Sequence, residues 1–207
     1  MRMFLILMLL CSPALAVFTS IEADDYPVGQ SLHQVDPDVT LWCVSTYGTP
    51  VPFSDIWNSR YDDVRVVNST HPTGLLGDHS MGYGIEEYWY DGTPAILAEM
   101  RGDAAYVRLQ MLGKPLWLEK NALIWGYGAN GDLLAWDFHS PDESQLRTCY
   151  INRGIYDIRY AVIAGFSQTA FDNLTVDYTH PIPEPATILL LSLGLGSVAI
   201  LRRKLHP

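Results

Sequence analysis

Leu123-Ile124-Trp125-Gly126-Tyr127-Gly128-Ala129-Asn130-Gly131-Asp132-Leu133-Leu134-Ala135 decides the fold class. An apolar, aromatic run from Ala122 to Tyr127 meets Asn130-Gly131, and a second apolar run follows. Asn-Gly takes the left-handed angles of a two-residue primed turn, whose twist matches two antiparallel strands. Side chains alternate along a strand, so Leu134, Trp136 and Phe138 fall on one face of the returning strand. The regular setting of Trp125 and Trp136 puts both indoles in the core.

Working outward, Tyr106 to Met111 alternates, with Val107, Leu109 and Met111 on one face. Ile155 to Ala164 reads as a further strand, and so does Phe171 to Tyr178, with Leu174, Val176 and Tyr178 on one side. Pro50 to Trp57 has room for a single turn of helix. No stretch between Val17 and Ile182 has the period and caps of a long amphipathic helix, and no internal repeat or low-complexity run occurs. Many short strands divided by glycine and proline imply an all-β fold, an antiparallel β-sandwich.

The two ends read differently. Arg2, the apolar Phe4 to Leu10, and Ala14-Leu15-Ala16 form a secretory signal peptide, residues 1–16, cut after Ala16. Leu10 before Cys11 is too large for a lipoprotein site. At the other end Pro183-Glu184-Pro185 precedes sixteen uncharged residues, Ala186 to Leu201, and then Arg202, Arg203 and Lys204. As a helix that run reaches roughly 24 Å at 1.5 Å per residue. A hydrocarbon core is roughly 30 Å thick, so snorkelling basic ends complete the span. The basic cluster stays cytoplasmic and the rest lies outside.

This order of motif, apolar helix and basic end resembles the PEP-CTERM sorting signal of Gram-negative bacteria. The resemblance implies an exosortase as partner, processing near Pro183, Glu184 and Pro185, and an inner-membrane anchor before processing. The destination is then the cell surface or extracellular matrix.

The part between the ends, residues 17–182, is one domain by length. It holds nine basic and 22 acidic residues, a formal charge of −13. Phosphates repel such a surface, which argues against nucleic acid. Cys43 and Cys149 remain after signal cleavage. In an oxidising compartment they either close a disulfide or stay as two buried thiols. A loop of about a hundred residues is worth roughly 4–5 kcal/mol in the chain-entropy picture.

A second resemblance lies in three pieces. Ile21 to Leu32, the 123–135 hairpin, and Ile158 to Gly165 with Ala170 to Val176 are similar to strands of extracellular jelly-roll domains. Pro50 to Gly102 has no clear counterpart. The resemblance implies a structural calcium between first and last strands, held by Glu22, Asp24, Asp25 and Asp172. The alternative is that these are solvated loop charges and a turn aspartate. The histidines lack zinc spacing.

Glu86, Glu87, Glu99 and Glu119 are the carboxylates a glycosidase would need. Strand neighbours such as Glu86 and Glu87 face opposite ways, so they do not serve one bond. No G-x-S-x-G or thiol–histidine signature is present. Tyr83, Tyr88, Trp89 and Tyr90 alternate in a way that exposes part of the set, a candidate glycan platform. The sequence therefore points to a non-enzymatic exported protein associated with envelope or extracellular polysaccharide. A carbohydrate-active enzyme on the same sandwich, or a structural or adhesive biofilm-matrix protein, are the other classes it fits.

Overall fold

The longest strand, β6 (Pro94–Gly113), holds the molecule together. In a computed structural model of the chain, described for residues 16–46, 50–70, 74–83, 88–89, 94–113, 121–139, 146–166 and 169–179, Ala16–Thr179 forms one unit. The first part of β6, Pro94 to Met100, pairs antiparallel with β2 (Val39–Ser45) and β10 (Ile158–Phe166). The second part, Ala104 to Gly113, pairs with β9 (Arg147–Asn152) and β11 (Thr169–Thr179). Small residues, Gly102, Ala104 and Ala105, sit where the partners change, and such residues let a strand bend.

Each part of β6 builds one half of a single hydrogen-bonded network. The first half runs β2-β6-β10, then β7 (Asn121–Tyr127) and β8 (Leu133–His139). In the second half β11 lies beside β6. On the other side of β11 pair β1 (Ala16–Ile21), β4 (His79–Tyr83) and β5 (Tyr88–Trp89). β3 (Val64–Asn68) pairs with β4. All named pairings are antiparallel, as the sequence implies.

One apolar core joins the halves. Leu41, Ile96, Ile124 and Ile163 from the first meet Val107, Leu109, Phe171 and Val176 from the second, all fully buried. This is the sandwich arrangement. Val107, Leu109 and Met111 face inward together, as their alternation requires.

Four details depart from the sequence reading. The first strand lies before Ile21, at Ala16–Ile21, and Ala23–Asp25 forms a short 3-10 turn. Asn130-Gly131 does not make a primed turn. That turn needs two positive φ angles, and only Gly131 has one, at 81°. The loop closes instead through Gly131 N–H to Gly128 O and Gly128 N–H to Asp132 O. Third, a register shift between Gly126 and Tyr127 sends Leu134 to the main core. Trp136 then lies at the sheet edge with 58% of its surface exposed, and not in the core. Fourth, the short helix expected within Pro50 to Trp57 is α1 (Phe53–Asn58), but the rest of the stretch to Gly102, without a counterpart in sequence, supplies β3, β4, β5 and the first part of β6.

Asn173 has φ of 52°, the one positive value among described non-glycine residues. The resulting bulge breaks the β11 register between Asp172 and Thr175. It lets Phe171 and Leu174, three positions apart, both point into the core.

Gly77 marks where the opening turn locks onto β4. Asp24 Oδ1 accepts from Asp78 N–H at 3.1 Å and from His79 N–H at 2.7 Å. A Cβ on Gly77 would stand 1.9 Å from Asp24 Oδ2, and φ there is 84°. Gly29 has a similar φ of 87° but open space around it. Gly29→Ala should cost about 1 kcal/mol of stability from backbone strain alone. Gly77→Ala should cost roughly 2–4 kcal/mol, because the Asp24 bonds are lost as well. Denaturant melts of both variants measure the difference, and equal losses would refute the lock.

Candidate functional site

The outer face of the first half-sheet carries two cross-strand rows. Register places Thr40, Glu99, Tyr160 and Tyr127 in one. It places Trp42, Leu97, Val162, Trp125 and Trp136 in the next. Both rows alternate with the inward residues of the same strands, so every one of these side chains leaves the main core. Leu97, Val162 and Trp125 are fully buried nonetheless, in a second apolar cluster that includes Ile56 of α1.

α1 lies over this face because its apolar residues need cover. The Phe53 ring stands 4.2 Å from Tyr160 and 5.3 Å from Tyr127, and Trp57 meets Tyr160 edge-on at 5.8 Å. Tyr127 O–H donates to Val51 O just before the helix. After it, Ser59 O–H donates to Ser45 O at 2.9 Å. The helix is thus pinned at both ends to the sheet below.

Arg60 follows in the next position. Its guanidinium carbon is 3.5 Å from the Trp57 ring centre and 4.9 Å from that of Trp42. Its Nε donates to Trp57 O at 2.8 Å. Stacking on aromatic faces suits a planar, weakly hydrated cation. Among the described residues no carboxylate pairs with Arg60. Glu99, half-buried, likewise has no hydrogen-bond or ion-pair partner there. Burial first, and then the Glu99 charge, push the Tyr160 hydroxyl above its usual range, while Arg159 and Arg60 oppose this. One phenol therefore stands within the field of an unpaired acid and two guanidinium groups.

Two depressions flank these rings. One, of about 430 Å³, is lined by Pro52, Phe53, Ser54, Trp57, Asn130 and Gly131. The other, of about 290 Å³, is lined by Pro37, Asp38, Thr40, Glu99, Met100, Arg101 and Arg159. In the second, Arg159 is held by Asp103 at 2.8 Å. Asp38 accepts from Tyr178 O–H at 2.8 Å and lies 3.9 Å from Arg101. The face thus offers aromatic surfaces, an acceptor in Glu99, donors in Arg60, and hydroxyls from Thr40 and Tyr160. Such a set matches a ligand with apolar C–H faces and many hydroxyl groups.

Of the sequence-based candidates only Glu99 stands on this face, and the others lie elsewhere. Tyr83 is half-buried and packs on the main core. Tyr88 and Trp89 form β5 against Ala170 and Thr169, but their side chains, like all of Tyr90, lie outside the described residues. So do Glu86, Glu87, Glu119, residues 1–15 of the expected signal peptide, and the 183–207 tail with the helix expected in it. Among the described residues no helix is long and apolar enough to cross a membrane. The assembled face was missed because Trp42, Glu99 and Tyr160 are far apart in sequence. Trp57-Asn58-Ser59-Arg60 was its one local sign, since a spacing of three sets Arg60 beside Trp57 on a helical turn.

The acids expected to hold calcium do gather in part. Asp172 Oδ1 accepts from Ala23 N–H at 2.9 Å, and its neighbours include Glu22 and Asp24. Burial first, and then the charge of Asp25, push the Tyr26 hydroxyl up. Backbone N–H groups already occupy Asp24 and Asp172. Among the described residues no three His, Cys, Asp or Glu side chains converge to hold a metal ion. The Cys43–Cys149 bridge is absent, since both thiols are free and buried. Their strands pair with different parts of β6, Cys43 with Ile96 in the first and Cys149 with Leu109 in the second.

Comparison with known proteins gives one assignment. Residues 181–204 match the PEP-CTERM protein-sorting motif, and Pro183-Glu184-Pro185 lies inside the match. The chain is therefore an exported protein with an exosortase-type sorting tail. No curated protein matches the chain significantly. Among solved structures, it is similar to the CBM22-1 xylan-binding domain from Paenibacillus barcinonensis Xyn10C, at 8% identity and TM-score 0.43, covering 83% of this chain and 100% of that one. It is similar to CBM29_1, a carbohydrate binding module from Piromyces equi, at 9% identity and TM-score 0.38, covering 79% and 91%. The K2 cleaved adhesin domain of Lys-gingipain gives 10% identity and TM-score 0.40 over 77% and 99%. Likenesses this distant carry no argument about a ligand.

Burial first, then the charges of Asp24 and Glu22, raise Asp172 to about 7 against hydrogen bonds that lower it. An acid raised on folding contributes stability that is full below about pH 4 and falls as pH rises to about 7. Asp172→Asn keeps an acceptor for Ala23 N–H and removes the charge. Its melting temperature should exceed wild type by several degrees at pH 8, with the gap closing toward pH 4. A loss at every pH would show that an ionised carboxylate is needed there. Burial also pushes both thiols up to about 12. Iodoacetamide should therefore leave the native protein unmodified. In denaturant without reductant both cysteines should alkylate, and a linked peptide pair by mass spectrometry would overturn this.

Proposed function

We propose that this exported chain is a non-catalytic surface protein that holds extracellular polysaccharide on the outer face of its first half-sheet. The observation that carries the reading is the Trp42–Arg60–Trp57 stack beside Tyr160 and Glu99, between two open depressions. Rings present flat apolar surface to the C–H face of a sugar, and fixed donors and acceptors beside them meet its hydroxyls. Arg60 is already oriented by two rings and a backbone carbonyl, so binding costs little further ordering.

Binding fits this face better than hydrolysis. Glycoside hydrolysis needs two available carboxyl groups at a set separation. Glu99 is unpaired, but Asp38 in the same groove is engaged by Tyr178 and Arg101. The sorting tail adds the setting. A protein delivered through the envelope meets polysaccharide at the membrane surface and in the matrix beyond it.

The test is affinity electrophoresis of the full exported protein in gels containing the producing cell's own exopolysaccharide. Wild type should be retarded. Trp57→Ala should bind roughly tenfold more weakly, a change of about 1.4 kcal/mol. Phe18→Ala, at an exposed position on β1, should behave as wild type. Equal mobility of wild type with and without polysaccharide would reject the reading. Release of reducing ends, lost in Glu99→Gln, would replace it with an enzyme.

A further inference from the structure

β1 and β11 bring both ends of the paired chain to one place. Ala16 lies opposite Thr179, and Phe18 lies opposite Asp177. Opposed residues of an antiparallel pair share a face, here the outer face of the second half-sheet. Tyr156 O–H donates to Asp177 Oδ1 at 3.2 Å, so the turn between β9 and β10 reaches the same carboxylate. That turn is tied to β6 by Arg153 N–H to Ala105 O and Asp157 N–H to Ala104 O. Phe18, Ile155 and Tyr156 are 68%, 57% and 39% exposed, and Phe18 is the most exposed large apolar side chain among the described residues. The two acids beside them are engaged, Asp157 by Arg153 at 2.8 Å and Asp177 by Tyr156. Exposed apolar surface is therefore gathered around Asp177, two residues before β11 ends at Thr179.

We propose that this end of the sandwich seats on the lipid surface that takes the sorting tail, with Phe18, Ile155 and Tyr156 in the headgroup layer. The proposal rests on the tail's apolar run entering a membrane, and not on polysaccharide binding. The chain that follows the patch commits it to lipid. Only six residues, His180 to Pro185, separate Thr179 from the apolar run that starts at Ala186. Fully extended, they span about 20 Å. A domain of this length has a radius of gyration of about 15 Å and is roughly 40 Å across. The tether is thus about half the domain's width, and the surface around Thr179 is the part that lipid meets first. So short a tether also sets a high effective concentration, which fills a contact too weak to recruit a free domain. The side chains suit that layer. Tyrosine joins an apolar ring to a polar tip, and aromatic rings concentrate at the boundary between membrane and water. Anionic headgroups repel most of a domain of charge −13. At this end Arg153 offsets Asp157, and Arg159 offsets Asp103.

The experiment uses the full chain, purified in detergent and returned to vesicles of phosphatidylethanolamine and phosphatidylglycerol in which some headgroups carry a nitroxide. A fluorophore is attached at Ile155→Cys or, as control, at Val28→Cys, since the native Cys43 and Cys149 are buried and stay unlabelled. Val28 is exposed too, but its neighbour Gly29 bonds Val66. Val66 pairs through Met81 with Phe171, six positions before Asp177 on β11 and roughly 20 Å of strand away. Nitroxide lipid should quench the Ile155→Cys label several-fold more than the Val28→Cys label. Adding Phe18→Ser should bring the Ile155→Cys signal toward the control. Flotation of the vesicles reads the tail separately. A chain that floats with them while both labels are quenched equally overturns the proposal and leaves the tail in the membrane. A chain that does not float overturns both. Strong quenching at Ile155→Cys that Phe18→Ser leaves unchanged also overturns the seat, because proximity then comes from the tether alone.

Discussion

β6 serves two half-sheets, and the rest of the fold depends on that division. A strand buried on both faces needs apolar residues without interruption, which Ala95 to Ala98 supply. A strand with one solvated face needs alternation, which Tyr106 to Met111 supplies. The switch between the two patterns falls on Arg101-Gly102-Asp103, where partners change from β2 and β10 to β9 and β11. The charges at this crossing are used by neighbours. Asp103 fixes Arg159, and Arg101 approaches Asp38. The same crossing that joins the halves therefore also forms one wall of the polar groove.

That division explains what the sequence revealed and what it concealed. Alternation at 106–111, 122–127 and 171–178 is a local signal, and each stretch is a strand. Residues 94–100 carry no such alternation, since both their faces are covered, and a continuous apolar run is ambiguous by periodicity alone. Trp136 was misplaced for a related reason. Alternation tells which side chains share a face but not what covers it. Trp136 does share the face of Trp125, yet cover reaches Trp125 and stops short of the edge strand. The candidate site was less legible still. Its residues come from β2, α1, β6 and β10, brought together by long-range pairing. Only Trp57 and Arg60 are close enough in sequence to betray a contact. The acidic opening loop was legible as a cluster that meets Asp172, but not in its use, because backbone N–H donors do not appear in a sequence pattern.

The outer face also shows how a strongly acidic domain makes a surface that an uncharged or weakly charged partner can approach. On this face Arg101 approaches Asp38 and Asp103 holds Arg159, so two of its acids are matched by bases, while Arg60 and Glu99 have no ion-pair partner among the described residues. Elsewhere acids outnumber bases, as the total of −13 requires. Long-range repulsion is screened over about 8–10 Å at physiological salt, so local balance decides what binds at contact. Packing Arg60 between two indoles strengthens this design. A guanidinium held by ring faces and one carbonyl keeps its charge at the surface without a carboxylate to cancel it.

The pairing of β1 with β11 makes closure of the fold wait for the end of the domain. Ala16 pairs with Thr179 and Ile21 with Leu174, so the first strand waits for the last. Contacts this distant in sequence make closure slow, because the intervening chain must be ordered first. Ala16 itself is the residue after which the signal peptide is read to end. A protease needs extended, unpaired backbone at its cut, and in the finished fold that bond lies within a paired strand. Cleavage and pairing there exclude each other, so a protease that cut after Ala16 would have to act before β1 pairs with β11. Free, buried thiols accord with the same order. A domain that closes only when its final strand arrives, and that holds both cysteines in separate parts of its core, has no need of an oxidant to complete the fold.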